Sequence, residues 1–202
     1  GALRRDFDRI FAATAAPGGR LLLTINHTLA AEQYTLTAGT DTLLLSASDD
    51  LGFVYGLFEI SRRYLGVQPF WFWNDQPLES REDAAIAAGT VVESKPYKVK
   101  YRGWFVNDET LLSHWKVERR ADLPFIMTFE ALLRLGGNMV IPGTGKNGLL
   151  YRRTAAGMGL IITHHHAEPL GAEMFAQAYP DLEPMYSKYP EKFRALWQAG
   201  IE

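Results

Sequence analysis

Tyr101-Arg102-Gly103-Trp104-Phe105-Val106-Asn107-Asp108-Glu109 is the stretch on which the fold turns. Ahead of it, apolar Tyr97, Val99 and Tyr101 alternate with basic Lys98, Lys100 and Arg102. That is the period of a strand with one wet face. Gly103-Trp104-Phe105-Val106 then drops the alternation, as a strand buried on both faces does. An amide and two carboxylates follow at once: Asn107, Asp108 and Glu109. In α/β folds ligands bind beyond the carboxyl ends of the strands. The stretch therefore reads as the first strand of a parallel core with polar chemistry at its functional end.

Downstream the same grammar repeats. Residues 112–120 read as an irregular or short helical segment. Residues 123–135 have Phe125, Phe129, Leu132, Leu133 and Leu135 on one side of a helix, closed by Gly136-Gly137. Asn138-Met139-Val140-Ile141 reads as a second buried strand, ending in Pro142-Gly143-Thr144-Gly145-Lys146-Asn147. A short helix over 149–156 leads to a third, Leu160-Ile161-Ile162-Thr163. That one ends in His164-His165-His166-Ala167-Glu168. Helical patterns at 171–178 and 190–199 follow, with Pro180, Pro184 and Pro190 between them. Strands alternating with helices argue a parallel sheet, either the start of a (β/α)8 barrel or a short open sheet.

Upstream the pattern differs. Leu3, Phe7, Ile10 and Phe11 have helical spacing, and Pro17-Gly18-Gly19 ends that helix. Residues 21–25 read as a strand, and 33–36 and 42–47 as a hairpin turning at Ala38-Gly39-Thr40-Asp41. Ser48-Asp49-Asp50 signals the start of a second helix, which Gly66 stops. Gly52 and Gly56 on that helix permit close approach to a sheet. Residues 1–95 are thus expected to form a small α+β domain, and 96–202 an α/β domain. Pro69-Phe70-Trp71-Phe72-Trp73 is too bulky to face solvent throughout. It reads as a wedge between domains, with a sugar-stacking wall at Trp71 or Trp73 as the alternative. The linker falls at 76–96, with a strand at Thr90-Val91-Val92.

Bulk properties exclude several classes. The chain has 202 residues, 47% hydrophobic and 22% charged, as in ordinary globular proteins. A net charge of −2 gives no basic field for nucleic acid or an anionic membrane. No apolar run nears the roughly 18 residues of a bilayer span. Absent cysteine removes disulfides and thiolate metal sites; it suits a periplasmic or secreted enzyme, and many cytosolic proteins lack cysteine as well.

Two clusters could do chemistry. Asp108 and Glu109 at a strand end could orient a water, act as a base or grip sugar hydroxyls. A salt bridge to Arg102 or Lys146, or a helix cap, is the structural alternative. His164, His165 and His166 with Glu168 suggest a metal at first sight. Consecutive residues of an extended chain point in alternating directions, however, which favours hydrogen bonding to a substrate or plain packing. Gly143-Thr144-Gly145-Lys146-Asn147 lacks the Ser or Thr after Lys, and the earlier Gly, of a phosphate loop. No Gly-x-Ser-x-Gly elbow occurs.

At these residues the chain resembles glycoside hydrolase family 115, the xylan α-glucuronidases. The resemblance is carried by Arg102-Gly103-Trp104-Phe105-Val106-Asn107-Asp108-Glu109, Leu132-Leu133-Arg134-Leu135, Asn138, Glu168-Pro169 and the C-terminal run from Phe193. Asp50-Leu51-Gly52-Phe53-Val54-Tyr55-Gly56-Leu57 resembles the small domain shared with related glucuronidases and β-hexosaminidases. The resemblance implies a small α+β domain followed by the first three to four βα units of an incomplete (β/α)8 barrel. It implies hydrolysis, with inversion, of a glucuronic acid-type sugar from a polysaccharide such as xylan. Separately, the residues call for no cofactor and no metal. The resemblance further implies that Asn107, Asp108, Glu109, His165, His166 and Glu168 line the sugar site; Lys146, outside the family pattern, is added as a substrate-binding candidate because its ammonium can pair with a sugar carboxylate. The family's His-His-Glu-Pro run has an extra residue here, and its tryptophan loop is replaced by Gly143-Thr144-Gly145-Lys146. A complete barrel takes about 250 residues. The general acid is therefore expected beyond Glu202, the chain alone inactive, and its open sheet edge prone to self-association. The alternative is a non-catalytic carbohydrate-binding or assembly module.

Overall fold

The computed structural model describes residues 1–11 and 18–201. The elements run α1 Ala2–Ile10, β1 Arg20–Ile25, β2 Tyr34–Ala38, β3 Thr42–Ala47, α2 Asp50–Tyr64, β4 Val91–Glu93, β5 Gly103–Phe105, α3 Asp108–Leu111 and α4 Leu123–Arg134. They continue β6 Met139–Ile141, α5 Lys146–Gly157, β7 Ile161–Ile162, a 3-10 turn Pro169–Gly171, α6 Phe175–Ala178 and α7 Pro190–Ile201. The first helix, expected over 3–13, ends at Ile10 with Phe11 already extended, and residues 12–13 and Pro17 of the stop signal lie outside the described residues. Among the described residues no helix is long and apolar enough to cross a membrane.

The chain divides into two compact units. Residues 1–101 and 130–137 form the first, and 102–129 and 138–202 the second. The first holds a four-stranded mixed sheet in the order β1-β3-β2-β4. β2 and β3 are the expected hairpin, antiparallel with Leu36 opposite Leu45. β1 runs parallel to β3, and β4 closes the other edge against β2. Leu36, Leu45 and Ile60 form the centre of the core, wrapped by Leu3, Tyr34, Leu43, Phe53 and Leu57.

Asp49 caps α2 by accepting from the Gly52 amide at 2.9 Å. Gly52 and Gly56 bring that helix onto the sheet. A β-carbon at Gly52 would lie 2.6 Å from the Gln33 carbonyl oxygen, and one at Gly56 2.4 Å from a Leu45 methyl.

A buried ionic network sits in the same unit. Arg5 reaches both oxygens of Glu130, at 2.9 and 2.6 Å, and Arg134 Nε donates to Glu130 at 2.9 Å. Asp6 accepts from Arg5, from Arg134 and from the Ser61 hydroxyl. Trp71, from the run expected to be a wedge, is buried here, and its indole N–H donates to Glu130 at 3.3 Å.

The second unit is built on the parallel sheet β5-β6-β7. Trp104 pairs with Val140, and Val140 with Ile162. α5 packs on β7, and Phe125 of α4 stacks on Tyr151 of α5 with ring centres 3.8 Å apart. Phe175 stacks on Phe193, joining α6 to α7.

Several expectations are corrected. The alternating run 97–102 is not a strand, and the β5 ladder begins only at Gly103. Alternation makes a strand only where a neighbouring edge pairs with it, and Val99 and Tyr101 are exposed instead. The three apolar segments are not all buried on both faces. Among the described residues β5 and β7 are edge strands with exposed Gly103 and Ile161, and β6 alone of the three has a neighbour on each side, which leaves Val140 fully buried. The third strand shrinks to two residues. The helix expected from 149 begins at Lys146, and that expected over 171–178 shortens to Phe175–Ala178 after the 3-10 turn.

Candidate functional site

Parallel strands deliver their carboxyl ends to one rim, and the second unit shows what gathers there. Val106 extends the β5 ladder by donating to Ile141 at 3.0 Å. The chain then turns, and Asn107 stands as the exposed N-cap of α3 with no capping hydrogen bond from its side chain. Asp108 opens that helix and is 1% exposed. Its Oδ1 accepts from the Thr144 amide at 2.7 Å, and its Oδ2 accepts from Asn147 Nδ2. Its carbonyl holds Ser113, which donates through both amide, at 2.8 Å, and hydroxyl, at 2.7 Å. The partners of the Asp108 carboxylate are thus donors of the loop after β6, where the structural alternative names Arg102, Lys146 or a helix cap.

That loop has its own geometry. Gly145 adopts φ 54°, ψ −122°, a conformation open to glycine. A β-carbon there would strike the Gln177 side chain at 2.3 Å. The Gly145 amide donates to Glu168 Oε1 at 2.6 Å. Lys146, exposed, begins α5.

After β7, Thr163 donates to the Val140 carbonyl at 3.0 Å, and the histidines follow. The half-buried His165 ring lies 4.9 Å from Phe105 and 3.9 Å from the exposed His166. His165 Nδ1 accepts from the Ala167 amide at 3.2 Å, so in the neutral ring the proton sits on Nε2. His164 turns elsewhere, against Gly171.

Glu109 is exposed beside Thr144. The Thr144 hydroxyl, its own backbone amide and the nearby His165 hold its carboxyl below the usual range.

Asp108, Glu109, His165 and Glu168 are thereby brought together around the 143–147 loop, with His166 against His165. Asn107 and Lys146, both exposed, flank the group at the starts of α3 and α5. Sequence reasoning missed Ser113 and Gln177, and saw Thr144 and Asn147 only as parts of a failed phosphate loop. Their signal was faint, since a lone Ser, Thr or amide acquires meaning only when a distant strand end meets it. No three His, Asp or Glu side chains among the described residues come together as a metal ion would require.

The model of glycosyl hydrolase family 115 matches residues 94–202, more than half of the chain. The chain belongs to that family.

A family 115 enzyme of known structure supports the assignment over a longer stretch. It is the 4-O-methyl-α-glucuronidase BtGH115A, described as specific for decorated arabinogalactans. It aligns at a TM-score of 0.67 and 26% identity, over 84% of this chain and 25% of that chain. This family 115 chain thus spans a quarter of that enzyme's length. A family 20 β-N-acetylglucosaminidase aligns at a TM-score of 0.55 and 16% identity, over 90% of this chain and 39% of its own. That likeness concerns the fold alone. A search of curated proteins gave no match.

Proposed function

We propose that this chain contributes one wall of the sugar site of an α-glucuronidase. In this reading the enzyme removes a glucuronic acid-type residue, such as 4-O-methylglucuronate, from a decorated polysaccharide by inverting hydrolysis. The observation that carries it is the meeting of three strand ends: Asp108 after β5, the 143–147 loop after β6, and Glu168 after β7. The similarity to BtGH115A supports the uronic acid, with xylan or an arabinogalactan as the polymer.

In this reading β5, β6 and β7 are the opening strands of a (β/α)8 barrel. Asn107, Asp108, Glu109, Lys146, His165, His166 and Glu168 form the rim. The exposed Lys146 ammonium would pair with the sugar carboxylate, and His165 Nε2–H and Glu109 with hydroxyls. Inversion needs two carboxyl groups about 6.5–9.5 Å apart across the bond. The chain supplies one side of that pair at most, so the exposed rim residues bind and orient, the buried Asp108 supports them, and the general acid comes from elsewhere in the whole enzyme. A polysaccharide substrate and a cysteine-free chain suit a periplasmic or secreted enzyme.

The test is turnover by the whole parent protein on aldouronic acids and on aryl glycosides, followed by proton NMR of the released sugar. Release of the inverted, β-anomer of a uronic acid is the expected result. Cleavage of aryl hexosaminides with no action on uronosides would overturn the reading.

A further inference from the structure

The rim loop is rich in glycine and holds itself by few bonds of its own. Gly143 and Gly145 both have positive φ, and Gly148 lets the following helix start within contact of the Gly143 carbonyl. Glycine has the most conformational freedom to lose on ordering. Within it the Asn147 amide donates to the Thr144 carbonyl at 3.2 Å and the Leu149 amide to Gly145 at 3.0 Å, and the side-chain anchors come from the flanking strand ends. From the β5 side Asp108 accepts the Thr144 amide and the Asn147 side chain. From the β7 side Glu168 accepts the Gly145 amide. Asp108, at 1% exposure with both oxygens occupied, has no face open to a ligand.

We infer that Asp108 and Glu168 are positioning residues: a two-sided carboxylate clamp sets the 143–147 loop and thereby aims Lys146 at the substrate. The inference rests on the uronic acid reading for what Lys146 recognises, and on the hydrogen bonds alone for the clamp. Hydrogen bonds to an ionised acceptor are stronger than neutral ones, so each clamp arm should leave its own mark on its own amide.

The experiment is proton–nitrogen NMR on this chain, comparing Asp108→Asn, Asp108→Ala, Glu168→Gln, Glu168→Ala and Asn147→Ala. Asp108→Ala should speed exchange of the Thr144 amide by about tenfold or more while that of Gly145 changes little. Glu168→Ala should do the reverse. Asp108→Asn keeps an oxygen for Thr144 and should fall between wild type and Asp108→Ala, with the Thr144 amide proton moved upfield. Glu168→Gln should shift Gly145 in the same way. A fold defect would disturb both amides together and spare neither. Where Asp108→Ala fails to fold, Glu168→Gln and Asn147→Ala still decide the matter. Unchanged exchange and shifts at Thr144 and Gly145 would overturn the clamp.

Titration with the methyl α-glycoside of D-glucuronic acid runs alongside. Wild type should perturb the Lys146 amide, and Asp108→Ala should weaken that response by about tenfold. A wild type blind to the glycoside but showing the crossed exchange pattern would defeat the uronic acid reading and leave the clamp intact. Equal binding by wild type and Asp108→Ala would remove the positioning role.

Discussion

At the scale of single residues, the strongest commitment in the chain is Glu130. Its carboxylate is buried between Arg5 and Arg134 and also accepts from Trp71. Burial works against its charge. The Arg5 hydrogen bonds and the two guanidinium charges outweigh that, so its carboxyl lies below the usual range. Removing one member of a buried ion group leaves the others uncompensated, at a cost of about 3–5 kcal/mol. Glu130→Gln should lose about that much in urea unfolding at pH 7. Asp6 would still hold both arginines, which favours the lower end of the range.

The pH dependence has a definite sign. A carboxyl with a depressed folded-state pKa stabilises above its unfolded value, about 4.3 for Glu, and that contribution fades as pH falls through the folded value. Wild type should therefore weaken below about pH 4 more steeply than Glu130→Gln, and the gap between them should close. A gap that stayed constant from pH 7 to pH 3 would show that the charge of Glu130 does not contribute. At Glu109 the sign is the same, but the group is exposed, and the consequence is a rim that keeps its negative charge into mild acid.

At the scale of elements, the contact between α2 and the sheet is set by the absence of two side chains. Ala favours a helix over Gly by about 1 kcal/mol. At Gly52 that gain meets the Gln33 carbonyl oxygen and Ala47, and backbone cannot move aside cheaply. Overpacking of this kind costs about 1–3 kcal/mol, so Gly52→Ala should be destabilised overall. At Gly56 the obstacle is the end of the Leu45 side chain, which can rotate. Gly56→Ala should be the milder of the two in thermal unfolding, and the reverse order would mean that the helix is not held at the distance seen.

This contact was legible in the sequence, as were the β2–β3 hairpin, the Asp49 cap and α4, because each is a local pattern of period or punctuation. The parallel pairing of β1 with β3 was not, since partners distant in sequence leave no periodic trace. The run from Tyr97 misled for the same reason: alternation records a preference, and an edge to pair with is a property of the folded sheet. Strand ends at Asp108 and Glu168 were visible as candidate chemistry. That Asp108 is spent on Thr144 and Asn147 was not, because hydrogen bonds across such separations are decided by where the loop lands.

At the scale of the whole molecule, the open edges matter most. β1 is an edge strand in which every residue from Arg20 to Ile25 is exposed, and Leu22 and Leu23 are 47% and 55% exposed. Native edges are usually blunted by charge, proline, a bulge or a cover, and here only Arg20 and Thr24 interrupt the apolar run. The second sheet adds β5 and β7 as further edges. The outer amides and carbonyls of an edge strand such as β1 can template pairing with another copy. The chain should therefore show a mass in light scattering that rises with concentration above its 22.7 kDa. Leu23→Lys places a charge on the β1 edge and should lower that rise. Leu149→Lys, on an exposed helical position, should leave it nearly unchanged. If both variants and wild type scatter as 22.7 kDa monomers at every concentration, the edges are silent in solution. If Leu149→Lys alone disperses the chain, association runs through α5 and the strand edges play no part in it.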